Sequence, residues 1–137
     1  MAVYMLDTDI ASYIMKRSND AVLKRLEAIP VTAMCTSAIV ESELRYGVEL
    51  SPRRPKDREA HEVLLGYLQV FDYPAAASLD YGQIRADLKR RGLVIGANDM
   101  LIAAHARCLG LTLVTDNARE FGRAPGLRIE NWAEPME

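Results

Sequence analysis

The chain is poor in the residues that staple a fold or bind soft metals. Its 137 residues include two cysteines, Cys35 and Cys108, and two histidines, His61 and His105. There is no Cys-x-x-Cys pair and no Cys/His spacing of a zinc site. That excludes a disulfide framework and a thiolate or imidazole metal centre. The cysteines lie in strand-like and helix-like apolar surroundings and read as reduced core thiols of a cytoplasmic protein. No apolar run nears the roughly 20 residues of a membrane span. The N-terminus has no basic segment and meets Asp7 too early for a signal peptide. A net charge of −2 excludes a basic coat for nucleic acid, while leaving room for a local basic patch. No internal repeat or low-complexity segment is present.

What is present is apolar content, at 50% of residues, in short runs separated by helical patterns. The length fits one domain, residues 1–137. Ala2-Val3-Tyr4-Met5-Leu6 runs into Asp7-Thr8-Asp9 and reads as a buried strand ending in two carboxylates. A helix over 7–17 follows, then a short one over 21–29 stopped by Pro30. Val31 to Thr36 is a second strand. Ser37 caps a helix to about Leu50, and 56–70 is another. Val70 to Tyr73 is a short third strand. Pro74 opens a helix to Arg91 closed by Gly92. Asn98 caps a helix over 99–109 closed by Gly110, and Leu111 to Thr115 is a strand. Leu127 to Glu130 is a last edge strand. Strands alternating with helices predict an α/β fold, a parallel sheet with helices on both faces. In such sheets ligands sit outside the carboxyl ends of the strands, where Asp7 would stand.

Other acids are placed to join it. Ile39, Glu43, Tyr46, Gly47 and Leu50 share one helical stripe, so Glu43 is predicted to face inward. Glu41, with Arg45 four residues on, reads as an exposed pair. Asp99 shares a stripe with Ile102, Ala103 and Ala106 at the first turn of its helix. The strand ending at Thr115 delivers Asp116-Asn117 to a strand end, as the first strand delivers Asp7. Several buried carboxylates together are costly unless a cation compensates them. All-oxygen ligation points to Mg²⁺ or Mn²⁺. Such ions commonly handle phosphate esters.

These residues match a known pattern. Met5-Leu6-Asp7-Thr8, Glu43-Leu44-Arg45-Tyr46-Gly47, Asn98 through Ala106 and Leu113-Val114-Thr115 resemble the PIN domain, most closely the VapC-type toxins of bacterial toxin–antitoxin pairs. Leu88 to Gly92, Arg119-Glu120-Phe121, Pro125-Gly126-Leu127 and Asn131-Trp132 resemble them too. The resemblance spans the chain in order. It implies a three-layer α/β/α sandwich with a mainly parallel central sheet, and an endoribonuclease using one or two Mg²⁺ or Mn²⁺ ions. The family's acids fall on Asp7, Glu43 and Asp99. Its fourth acid usually lies two residues past the threonine matched by Thr115. Asn117 stands there and Asp116 one residue earlier, so either supplies the fourth group, with Asp116 the acidic choice. The family commonly has Asn at the place of Asp9. Thr8, Asp9, Thr115 and Asn117 are supporting candidates around the ligands.

The resemblance also implies partners: a VapB-type antitoxin, a homodimer, a toxin–antitoxin hetero-oligomer, and an RNA substrate such as tRNA or structured RNA. Tyr13, Ile14, Leu23 and Leu26 are candidates for the antitoxin groove. Lys16, Arg17, Arg45, Arg53, Arg54, Lys56, Lys89, Arg90, Arg91, Arg119 and Arg123 are candidates for RNA contact, of which a minority should matter. His105 reads as structural and His61 as a surface residue. Two alternatives stand beside the nuclease. A haloacid-dehalogenase-type phosphatase would use Asp7 as nucleophile and Asp9 as acid/base; Ala11 departs from its motif. A PIN fold without catalysis would be a binding module.

Overall fold

The computed structural model describes residues 1–135. Five short strands form one all-parallel sheet: β1 (Tyr4–Leu6), β2 (Met34–Ser37), β3 (Gln69–Phe71), β4 (Thr112–Val114) and β5 (Ile129–Glu130), in spatial order β3-β2-β1-β4-β5. Strand β1 is central. Leu6 stands beside Thr36 on one side and Val114 on the other. The Thr36 hydroxyl donates to the Leu6 carbonyl at 2.7 Å, locking the end of β1 to β2.

Among the described residues, seven α-helices cover the sheet in a three-layer α/β/α arrangement: α1 (Thr8–Lys16), α2 (Asp20–Ala28), α3 (Ala38–Leu50), α4 (Arg54–Tyr67), α5 (Ala77–Arg91), α6 (Ala97–Leu109) and α7 (Ala118–Phe121). Helices α1, α3 and α4 pack on one another, and α5 packs along α6. The chain steps outward from β1 to β2 and β3, then returns to the other side of β1 for β4 and β5. The strand order therefore reverses at β1/β4, the kind of crevice where open α/β sheets bind ligands.

Local chemistry explains the boundaries. The Ser37 side chain caps α3, accepting from the Ile39 N–H at 3.1 Å, and Asn19 caps α2 through the Val22 N–H at 3.0 Å. Gly92 and Gly110 end α5 and α6 in the left-handed region, at φ 68° and 69°. Several predicted spans shift. Val31–Ala33 is a 3-10 turn, and the second strand begins at Met34, because β1 offers only three residues to pair with. Helix α4 stops at Tyr67 because Gln69–Phe71 pairs with β2. Pro74 opens a turn, and α5 starts at Ala77. Gly96, not Asn98, occupies the cap position of α6.

The inward face of α3 also differs from the predicted stripe. Val40, Leu44 and Val48 face the core, whereas Tyr46 and Leu50 are each 66% exposed. Glu43 is half-buried at the border of the two faces. His61, expected at the surface, is 1% exposed in α4, and burial together with nearby Arg45 lowers its pKa. Cys35 is buried and Cys108 half-buried, both as free thiols. Among the described residues no helix is long and apolar enough to cross a membrane.

The core is continuous from Met5 and Leu6 through Ile102, Leu113, Phe121 and Trp132. Trp132 is fully buried, edge-on to Tyr4 with ring centroids 5.2 Å apart, and its indole N–H donates to Glu130 at 3.1 Å. It anchors the segment after β5 to the sheet. Trp132→Ala should cost about 3–5 kcal/mol of stability, read as a fall in the urea midpoint. A midpoint unchanged from wild type would remove Trp132 from the core's energetics.

Candidate active site: carboxylates at the sheet's carboxyl edge

Asp7 leaves the end of β1 as the cap-position residue of α1 and is 5% exposed. Its N–H donates to the Val114 carbonyl at 2.9 Å, so β4 fixes its backbone. The Thr115 hydroxyl donates to Asp7 Oδ2 at 2.7 Å and accepts from the Asn117 N–H at 3.0 Å. With its proton committed to Asp7 and a lone pair to Asn117, this hydroxyl holds the carboxylate in one orientation. Burial nevertheless raises the Asp7 pKa, against the hydrogen bonds from Thr115 and the Thr8 backbone, and Glu43 raises it further.

Glu43 arrives from α3. Its Oε1 accepts from the Thr8 hydroxyl at 2.5 Å, and Oε2 from the Asn98 amide at 3.5 Å. One carboxylate thus ties α1, α3 and the first turn of α6 together. Asp99 comes from the same turn of α6. Its Oδ2 lies 3.3 Å from where a Cβ on Gly96 would stand, so glycine is what leaves the carboxylate room. Burial, then Asp7, Glu43 and Glu120 push the Asp99 pKa up to about 6. Asp7, Glu43 and Asp99, far apart in sequence, are therefore electrostatic neighbours.

Asp116 and Asp9 form a separate pair beside this group. Asp116 is exposed, and its carboxylate accepts from the Tyr13 hydroxyl at 2.7 Å and the Asn131 amide at 3.1 Å. Its own N–H donates to Asp9 Oδ2 at 3.1 Å, while Asp9 Oδ1 accepts from the Ile10 N–H at 2.7 Å. Burial and Asp7 push Asp9 up to about 7 despite those two N–H donors, with Asp116 adding to the rise.

Glu120 is the acid that sequence reasoning passed over. It sits in the first turn of α7, where the Asn117 amide donates to its Oε2 at 3.2 Å, and it bears on Asp99. Its sequence signals are the Asn117-x-x-Glu120 spacing, one helical turn, and its place in the Arg119-Glu120-Phe121 segment. Neither histidine joins the site. His105 is fully buried, with Nδ1 2.8 Å from the Ser37 hydroxyl and Tyr73 edge-on at 5.5 Å.

Among the described residues no side-chain cation pairs with these acids. The ion pairs of the described residues all lie elsewhere: Arg25–Glu130, Arg45–Glu41, Arg58–Glu49, Arg91–Asp87 and Arg107–Asp80. Nor do any three Asp, Glu, His or Cys side chains among them converge closely enough to wrap one bare ion. A hydrated Mg²⁺ asks for less, since it keeps several waters and takes one or two carboxylates directly. The all-oxygen donor set and its unmet negative charge fit that mode.

Two openings meet at Glu43. A shallow depression of about 340 Å³ is lined by Glu43, Gly96, Ala97, Asn98 and Asp99. A deeper groove of about 430 Å³ runs from Thr8 and Glu43 over Met15, Leu44 and Val48 to Lys16, Arg17, Arg53 and Lys56.

Comparison with known proteins identifies the family and the fold. Residues 4–127 match the PIN domain. Ribonuclease VapC2 of Rickettsia felis is 39% identical over 131 residues, covering 95% of this chain and 98% of that one. The tRNA(fMet)-specific endonuclease VapC of Shigella flexneri is 41% identical over 133 residues, covering 97% and 100%. Among solved structures, the DNA-bound VapBC of Salmonella typhimurium superposes with a TM-score of 0.90 at 39% identity, covering 96% of this chain and 99% of that one. With its fold, the match over residues 4–127 and these relatives, the chain belongs to the PIN domain family, in its VapC branch.

Proposed function

We infer that this protein is a metal-dependent endoribonuclease and the toxin of a toxin–antitoxin pair. The observation that carries this is the group Asp7, Glu43 and Asp99: three carboxylates from three segments at the sheet's switch point, with no ion pair to any of them among the described residues. A fold that keeps such a group has a use for its charge. Asp7, Glu43 and Asp99 would hold one or two Mg²⁺ or Mn²⁺ ions. Glu120 is the better-placed fourth acid, because it bears on Asp99, while Asp116 is engaged by Tyr13 and Asn131. A bound ion supplies Lewis-acid stabilisation of the phosphoryl charge and an acidified water.

The chain's own residues do the rest. Thr115 and Thr8 fix the Asp7 and Glu43 carboxylates, and Asn117 fixes both Thr115 and Glu120. Asp9 stays at the margin, held by two backbone N–H groups. Membership of the PIN family removes the phosphatase alternative, whose nucleophile and acid/base would be Asp7 and Asp9.

The relatives named tRNA(fMet)-specific endonuclease make tRNA the first substrate class to test. The solved VapBC structures make a VapB-type antitoxin the expected partner. Tyr13, Ile14 and Leu26, considered for its groove from sequence, pack partly against the core. The more exposed apolar surface lies on α3 and α4, with Tyr46 and Leu50 on the first and Val63 and the 70%-exposed Tyr67 on the second.

Asp99→Asn should lower RNA cleavage in Mg²⁺ or Mn²⁺ by at least about a hundredfold while the fold, by circular dichroism, is kept. If wild type cleaves no RNA and Asp99→Asn arrests growth as well as wild type does, the protein is a binding module.

Stability offers a second check. Asp9 and Asp99 release protons near 3.8 when unfolded, and near about 7 and about 6 when folded. Between those values the native state holds more protons than the unfolded one, so stability falls as pH rises. Without divalent ions, the melting temperature of wild type relative to Asp99→Asn should therefore drop from pH 3.8 to about 6. Added Mn²⁺ should recover it, since the ion binds the ionised native state. A relative melting temperature that climbs with pH would refute the uncompensated charge.

A further inference from the structure

Five of the chain's arginines spend their charge on a carboxylate, but the four cations of the groove beside Glu43 do not. Lys16, Arg17, Arg53 and Lys56 are exposed, line the same groove, and among the described residues take part in no ion pair. The one carboxylate among them, Asp57, is already engaged by the Ser51 hydroxyl. In a chain with net charge −2, that concentration of free positive charge is local. The floor between the cations is apolar, made by Met15, Leu44 and Val48. The near end of the groove is Thr8 and Glu43, already joined by a hydrogen bond.

Arg17 adds an independent sign. It ends α1 with φ 50°, and it is the only non-glycine residue at positive φ among the described residues. The other helices that end in this conformation, α5 and α6, use glycine there. A β-carbon in this region is strained, and glycine relieves it without cost to the turn. Lys16 has a simple structural use, since a cation in the last turn complements the helix dipole. Arg17 gains nothing comparable by being other than glycine, while its side chain reaches the groove. Outliers of this kind concentrate where a binding surface needs the side chain.

We propose that this groove is a subsite for single-stranded RNA on one side of the scissile bond. Its backbone phosphates lie along Lys16, Arg17, Arg53 and Lys56, and a base or ribose rests on Met15, Leu44 and Val48. The inference rests on the endoribonuclease function above and specifies where the substrate strand runs. Charge decides the occupant: a chain with one anion per nucleotide and flat apolar bases matches a cationic rim over an apolar floor. Tyr46 and Leu50, exposed on α3, are not among the groove's lining residues.

The test uses full-length protein carrying Asp99→Asn, to prevent cleavage, and a fluorescent single-stranded RNA titrated at several salt concentrations. Adding Arg53→Ala with Lys56→Ala should weaken binding by at least about tenfold and flatten the log K against log salt slope by about 1.4, two phosphate contacts' worth. In the active protein the same pair should raise KM far more than it lowers kcat. Arg58→Ala, whose guanidinium pairs with Glu49, should change neither quantity. Arg17→Gly should melt at or above wild type yet bind RNA more weakly, a combination that lost structure would not give. If wild type cleaves RNA and the groove variants keep its affinity, slope and KM, the subsite is wrong and the nuclease stands. If wild type neither binds nor cleaves RNA, both fall. If the variants lose an antitoxin peptide but keep RNA, the groove belongs to the partner and the proposal is overturned.

Discussion

Everything at this site depends on holding the Asp7 carboxylate, almost buried, at the end of the central strand. Burial and Glu43 work against its charge, and only a handful of local dipoles work for it. The structure answers by building those dipoles from every neighbouring element. The Thr115 hydroxyl comes from the end of β4, the Thr8 backbone from the start of α1, and the Val114 carbonyl pins the Asp7 N–H. A carboxylate orientation set this firmly is suited to meet a cation without reorganising, the condition for electrostatic preorganisation.

The parallel sheet makes this arrangement possible. Because every strand runs the same way, the residues following β1, β2 and β4 all emerge at one edge. Asp7, Ser37 and Thr115 are the first residues past or last residues of those strands. Ser37 caps α3, which carries Glu43, and its hydroxyl touches His105 of α6, the helix that carries Asp99. The buried histidine that contributes nothing directly to the site thus lies at the junction of the two helices that do.

Much of this was legible in the sequence, for reasons that differ by residue. Asp7 was marked by an apolar run that stops at an acid, a signal that strand burial produces directly. Asp99 was marked by its place at the start of an amphipathic helix, and the glycine that makes room for it was in plain sight at Gly96. Glu43 was found on a faulty premise. Its predicted stripe includes Tyr46 and Leu50, which face solvent; the true core face is one step round, through Val40, Leu44 and Val48. Helical periodicity reports an apolar face but not whether the protein or a partner covers it. His61 failed in the opposite sense, a polar residue buried between α3 and α4 where polarity suggested water. Glu120 was passed over because a four-residue helix carries no period to mark its inward face, and the partners of Asp116 because Tyr13 lies 103 positions away.

The hydrogen bond from Thr115 to Asp7 spans 108 positions of a 137-residue chain. The helices can form from local contacts, whereas the acid group exists only once β4 has docked beside β1 near the end of the chain. Contacts this distant in sequence are slow to close and are lost together when the sheet opens. A chain still emerging from the ribosome, or one nicked between α6 and β4, would hold most of the acids and none of the site. Harm to the producing cell would thus begin only with the finished fold, which leaves a partner the interval of folding in which to arrive.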